Sequence, residues 1–205
     1  MKARILPLLL LALQVFAGSA AHAEKGDSDK PIDIVSDLSE DNDIKQIRTF
    51  TGNVVLTEGT LVMKGTKLVV ETRPDGWTFA TLYAPSNGLA TMRQKRDGGP
   101  DLWMEGEAAE RITYDQKTSV ATLYTRSKVR RLTGVAKTDE ATGPFLSYNS
   151  QTEIVTGAMS PTGESKDGGI ERPHVWIQPQ HKTPAAGAAG AGSTPANTPA
   201  PAKDK

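Results

Sequence analysis

Residues 50–60 read Phe50-Thr51-Gly52-Asn53-Val54-Val55-Leu56-Thr57-Glu58-Gly59-Thr60, and Leu61-Val62-Met63-Lys64-Gly65 continues the chain. Apolar side chains recur at alternate positions on both sides of Glu58-Gly59, the period of a strand rather than of a helix. With the two-residue turn placed at Glu58-Gly59, Thr57 pairs with Thr60, Leu56 with Leu61, Val55 with Val62 and Val54 with Met63. Directly opposed residues share a face. One face then carries Phe50, Gly52, Val54, Leu56, Leu61, Met63 and Gly65. The other carries Thr51, Asn53, Val55, Thr57, Thr60, Val62, Lys64 and Thr66, mostly polar or β-branched. Burial of one face fixes the register, because a one-residue slip turns the apolar set outward. The apolar face is either half of a sealed core or the lining of a groove that holds something greasy.

The same pattern extends along the chain. No window carries a sustained helical period with caps. Short runs rich in Val, Ile, Thr and Tyr recur between Gly, Pro, Asn and Asp, which predicts an all-β meander of antiparallel strands. The runs are Lys67–Glu71, Trp77–Tyr83, Leu89–Met92, Leu102–Met104, Ala109–Tyr114, Ser119–Tyr124, Lys128–Leu132, Phe145–Tyr148, Thr152–Val155 and Pro173–Gln178. A weak internal echo joins Gly65–Val70, Ala109–Tyr114 and Gly143–Tyr148. Each has a small residue followed by an apolar-x-apolar pair, as in a stacked β-structure whose units bury their faces on one another.

The two ends read differently. Lys2 and Arg4 precede an apolar run from Ile5 to Phe16, and Ala21-His22-Ala23 has the small-x-small form of a signal-peptidase site. Residues 1–23 are expected to be a cleaved secretory signal. Residues 24–182 are expected to form one β domain. Residues 183–205, made largely of Pro, Ala, Gly, Ser and Thr, are expected to be a disordered tail that cannot bury enough apolar surface to offset chain entropy. Removing the two basic residues of the signal takes the formal net charge from 0 to −2. Nothing in that balance favours nucleic acid. The chain has no cysteine, so an exported form holds together without disulfides, and thiol chemistry and a Cys-ligated metal are excluded.

Motifs for chemistry are scarce. The mature region keeps only His174 and His181, and no nucleophile elbow accompanies them. Metal-ligand spacings and glycine-rich phosphate loops are missing, so no catalytic residue, metal or cofactor is expected. The acidic run Asp37–Asp43 lacks the glycine and final glutamate of a calcium loop and reads as a solvated turn. Lys128, Arg130 and Arg131 form a small basic patch. Alternation separates Lys128 and Arg130 from Val129 and Arg131.

Three segments carry a resemblance. Pro31-Ile32-Asp33-Ile34-Val35-Ser36-Asp37, the Phe50–Gly59 stretch and Lys67-Leu68-Val69-Val70 resemble the LptA/OstA family of periplasmic lipopolysaccharide transport proteins. The likeness runs from about 27 to 72 and more loosely to about 157. Glu58 stands where the family often has Gln, and Thr66 where it often has Asp. Leu123–Val129 replaces a second Gly-Asn strand. The resemblance implies a slightly open, twisted β-jelly roll of stacked antiparallel strands, with no enzymatic activity. It implies an apolar interior for acyl chains, lined by Ile32, Ile34, Phe50, Val54, Leu56, Leu61 and Met63, with Met92 and Tyr114 matching further lining positions.

It also implies head-to-tail self-association through edge strands, at Ile32, Asp33, Ile34 and Val35 and at Val175, Trp176, Ile177 and Gln178. The implied partners are lipopolysaccharide, an inner-membrane ATP-driven export complex, an outer-membrane translocon and further copies of the chain. Each buried methylene contributes about 0.8 kcal/mol, so acyl chains can be held without a dedicated polar site. A polysaccharide-binding or polysaccharide-cleaving β-sandwich or solenoid, and a purely structural filament, remain as alternatives at this point.

Overall fold

The computed structural model describes residues 26–160 and 172–179. The expected signal peptide and tail lie outside those residues. A 3-10 turn, Asp27–Asp29, leads into the first strands, β1 (Ile32–Val35) and β2 (Leu38–Asn42). Two long strands follow, β3 (Ile47–Glu58) and β4 (Leu61–Thr72), then four shorter ones: β5 (Thr78–Tyr83), β6 (Ala90–Lys95), β7 (Leu102–Ala108) and β8 (Arg111–Asp115). A second long pair, β9 (Val120–Thr133) and β10 (Ala136–Asn149), precedes β11 (Ile154–Ala158) and β12 (His174–Ile177).

All pairings are antiparallel, and the ladder branches. One branch runs β1-β3-β4-β6-β7-β9-β10-β12 and the other β2-β3-β4-β5-β8-β9-β10-β11. The four long strands belong to both. β4 pairs with β6 over Val62–Lys64 and with β5 over Lys67–Thr72. β9 pairs with β8 up to Tyr124 and with β7 from Lys128. Two sheets therefore face each other and are joined by strands that turn a corner from one to the other. This is the twisted, slightly open β-jelly roll.

Each corner has a definable cause. On β3, Thr51 pairs with Lys67 but Val54 with Gly65, so Gly52 and Asn53 together oppose one residue. Both have left-handed φ, +83° and +46°, and an extra residue of this kind bends a strand. The Asp37 N–H donates to the Gly52 carbonyl at 3.0 Å, and Asn53 Nδ2 donates to Asp37 Oδ2 at 2.9 Å. On β9, Tyr124 pairs with Phe145 but Ser127 with Gly143. Thr125 and Arg126 occupy the equivalent positions, with φ of +66° and +49°. The Ala109 N–H donates to the Thr125 carbonyl at 2.9 Å, and Thr125 Oγ1 donates to Glu110 at 2.7 Å. Leu123–Val129 thus builds the same corner as the Gly52-Asn53 stretch with less permissive residues. The echo noticed in the sequence marks corners too: Gly65, Ala109 and Gly143 each sit where a strand, or a broken pair of strands, changes sheet.

Two sequence expectations need correction. The first hairpin turns at Gly59-Thr60, not Glu58-Gly59, so Leu56 pairs with Met63, Val55 with Lys64 and Glu58 with Leu61. Gly59 takes the left-handed φ of +59° at the first loop position, where a Gly-first hairpin turn needs it. The strands slide in a way that preserves parity, so the apolar and polar faces stand as read. Asp37–Asp43 is not one solvated turn: Leu38–Asn42 is β2, paired with β3 so that Leu38 lies opposite Thr51 and Asn42 opposite Ile47. Every β2 residue is exposed, which removes the apolar alternation that would reveal a strand.

The side chains between the sheets form one cluster, including Val54, Leu56, Leu61, Met63, Leu68, Leu82, Met92, Met104, Ile112, Leu123 and Leu146. The outer face of the first branch alternates in charge from strand to strand. Arg93 meets Glu105 at 3.2 Å. Arg130 meets Glu107 at 2.8 Å on one side and Glu140 at 3.0 Å on the other. The basic patch around Lys128 and Arg130 is therefore paired with carboxylates along the sheet. Such partly exposed pairs contribute about 0–1 kcal/mol each.

Candidate functional site

The interior is built by two hairpins of the same plan, filled differently. In β3–β4 the inward positions after the corner are Val54, Leu56, Leu61 and Met63. In β9–β10 the equivalent ladder positions are Ser127, Val129, Asp139 and Ala141. The first set fills its space and the second does not. An open cavity of about 270 Å³ lies at the β10–β11–β12 end. Val129, Ala141, Leu146, Val155, Pro173 and Val175 line it, with Arg131, Asp139 and Glu140 among the groups around it.

All nine residues named from the sequence as lining lie in or against one cluster. Val54, Leu56, Leu61, Met63, Met92 and Tyr114 are buried, each at most 3% exposed. Ile32, Ile34 and Phe50 are half-buried and pack against them. These residues pack on one another, and the open space lies further along the interior. Of the residues around that space, the sequence pointed to Val175 as an edge residue and Arg131 as part of a basic patch, and to none as lining. The signal that could have found them is smallness: Ala141 and Gly157 stand at positions where a filled core carries larger side chains.

The opposite end is closed by polar groups. Asp27 is buried and accepts from the Thr60 N–H at 2.9 Å, Thr60 Oγ1 at 2.6 Å and Gln94 Nε2 at 3.0 Å. Glu58 is fully buried, and its Oε1 accepts from Gln116 Nε2 at 2.6 Å. Gln116 also donates to the Ser28 carbonyl at 3.2 Å, and its Oε1 accepts from Thr78. Glu58 Oε2 and the Tyr114 hydroxyl make no hydrogen bond of good geometry. Each nevertheless influences the other's titration. Burial pushes the Glu58 carboxyl above the ordinary carboxylate range, against the opposing pull of Gln116 and Tyr114, and the charges of Asp27 and Asp29 add to the rise. Burial, then the charge of Glu58, raises the Tyr114 hydroxyl above an ordinary phenol.

The raised Glu58 pKa fixes the sign of a pH effect. The folded state holds this proton more tightly than the unfolded chain. The resulting contribution to stability is fully present below the unfolded pKa and is lost as pH rises through the folded one. Glu58→Gln keeps the size, can still accept from Gln116 and removes the charge. It is expected to raise stability at neutral pH by about 1–3 kcal/mol, the cost of an imperfectly paired buried charged group. Urea denaturation of both proteins from pH 4 to 8 checks this: the gain should shrink toward pH 4.

The free edges lie at both ends of the branches. On β1, Ile32 and Ile34 turn inward, and Asp33 and Val35 outward. Its pairing among the described residues is with β3. On β12, Val175, Trp176 and Ile177 are exposed, and the pairing is with β10. Gln178 lies just past β12 and extends its ladder, donating to the Thr138 carbonyl at 2.9 Å. β2 and β11 end the second branch. The sequence pointed to β1 and β12 and missed these two. His174 is exposed on β12, and His181 lies outside the described residues. No cluster of potential metal ligands occurs among the described residues.

A family described as "LptA/(LptD N-terminal domain) LPS transport protein" matches residues 33–154. The chain belongs to this family. Its members are transport proteins and not enzymes. The lipopolysaccharide export system protein LptA of Haemophilus influenzae is 35% identical over 126 residues, which is 61% of this chain and 71% of that protein. The protein of the same description from Escherichia coli K12 is 38% identical over 103 residues, 50% of this chain and 54% of that one. Among solved structures, LptH of Pseudomonas aeruginosa superposes with a TM-score of 0.63 at 22% identity, covering 75% of this chain and 99% of that one. It is described as the LptA homologous periplasmic component of a lipopolysaccharide transport device. That likeness speaks for the fold.

Proposed function

We propose that this protein carries lipopolysaccharide across the periplasm, holding its acyl chains between the two sheets. It receives cargo from an inner-membrane ATP-driven complex and hands it to an outer-membrane translocon. The observation that carries the reading is an apolar interior that runs between two sheets and opens beside an exposed edge strand. An exposed apolar opening of this kind normally marks a binding site. Between the polar groups at the β3–β4 end and the charged ones around the cavity, the interior side chains are mostly aliphatic or thioether, a chemistry that suits hydrocarbon and offers little to a sugar.

Association is head to tail: the β12 edge of one copy adds to the β1 edge of the next, by backbone hydrogen bonding across a sheet edge. The two surfaces differ, so the contact is heterologous and the assembly stays open. The joined interiors then form one continuous path. Binding is apolar and weakly directional, which lets cargo leave as well as enter.

A photoreactive residue at Val54, which faces the interior, is expected to form an adduct with lipopolysaccharide in cells. The same residue at the exposed Asn53 is expected to form none. Adducts at neither position in a folded, exported protein would overturn the lipid-carrying reading and favour a polysaccharide-binding or filament role.

A further inference from the structure

The interior ends at the β3–β4 hairpin in a polar seal rather than an apolar one. Glu58, Gln94 and Tyr114 point inward from three strands, and the 3-10 turn reaches over the hairpin to meet them. Its hold is by hydrogen bonds: three onto the Asp27 carboxylate and one onto the Ser28 carbonyl. Gly59 forms the socket. A Cβ there would lie 2.1 Å from Asp27 Oδ1, so the carboxylate sits where only a glycine leaves room.

A permanent end-wall needs no such arrangement. Apolar side chains close a core without partners, whereas buried polar groups need every partner in place. Here Glu58 Oε2 and the Tyr114 hydroxyl, which lie against each other with Ser119 beside Tyr114, make no bond of good geometry. Water entering at this end would give both better-aligned partners, so the closed arrangement is held against a cost that opening lessens. The turn also lies directly before β1 in the chain, with only Lys30 and Pro31 between. β1 is the edge at which the preceding copy or complex would add its strand.

From this geometry we infer that the Asp27–Asp29 turn is a latch: it closes the β3–β4 end of the interior in the lone protein and swings away to admit acyl chains when a donor docks on β1. The inference rests on the lipid-carrying reading. Asp27 is the bolt, Thr60 and Gln94 are its keepers, and Gln116 holds the adjoining Ser28.

The chain has no cysteine of its own, so a pair can be introduced cleanly. Asp27 Oδ2 and Thr60 Oγ1 already meet at 2.6 Å. In the double variant Asp27→Cys, Thr60→Cys, oxidation ties the turn shut, and reduction frees it without the original hydrogen bonds. With the photoreactive residue at Val54 in the mature protein, purified lipopolysaccharide is the probe. The expected result is an adduct in the reduced form and its loss in the oxidised form. Equal adducts in both forms would overturn the latch and leave lipid carriage standing. No adduct in either form, nor in the cysteine-free parent, would overturn lipid carriage and the latch with it. If the parent alone gives an adduct, Asp27→Ala decides: faster loading than the parent supports the latch, and unchanged or slower loading overturns it.

Discussion

Gly52→Ala is expected to lower stability by about 3 kcal/mol. Two terms add. An L-residue in the left-handed region costs about 1–2 kcal/mol, and φ here is +83°. The new methyl would also lie 2.2 Å from Asp37 Oδ2 and 2.9 Å from Asp37 Cβ. Rotating the carboxylate relieves the first contact but not the second, and it breaks the bond to Asn53, worth about 0.5–1.5 kcal/mol. For a domain of this size such a loss lowers Tm by roughly 10 °C. The opposite change at the second corner carries the opposite sign. Thr125→Gly removes a β-branched residue from φ +66°, a conformation such side chains rarely adopt, and should raise stability by about 1 kcal/mol despite losing the exposed bond to Glu110. Thermal or urea unfolding of both variants checks the pair. Equal signs would show that the two corners are not built alike.

The second large effect concerns assembly. The Gln178 N–H donates to the Thr138 carbonyl, and antiparallel ladders alternate bonded and free positions along a strand. The N–H groups of Trp176 and His174 therefore face β10, and those of Val175 and Ile177 face outward. Ile177→Pro, or Val175→Pro, removes an outward donor and places a ring on the joining edge, while the bonds to β10 stand. On the proposed head-to-tail association the parent is expected to form rods, and such a variant to run as a monomer in size-exclusion chromatography at the same concentration. Removing the β12 strand altogether should do the same. A Pro variant that still forms rods would move the joining edge away from β12, with β11 as the next candidate.

How far the sequence carried this reading depends on where each element sits. The faces of the β3–β4 hairpin were legible because one side of it is buried, and burial writes alternation into the chain. The turn was misplaced by one residue because Asp27, distant in sequence, holds Thr60 in the loop. β2 was illegible because an exposed edge strand needs no apolar residue. β9 read as two short pieces and β10 only as its Phe145–Tyr148 end, because Thr125-Arg126 and Gly143-Pro144 look like breaks, when they are corners within continuous strands. The cavity was missed for a different reason. It lies where Ala141 and Gly157 leave space unfilled, and a periodicity search registers large apolar side chains, not missing volume.

The corners have a mechanical consequence. Gly52-Asn53, Gly65, Thr125-Arg126 and Gly143 all lie where strands cross between the sheets, so together they form a spine along the molecule. Because β3, β4, β9 and β10 are covalently continuous through it, the sheets cannot slide past each other or part along that side. Widening the interior is then a jaw-like movement about the spine, resisted by torsion in neighbouring strands.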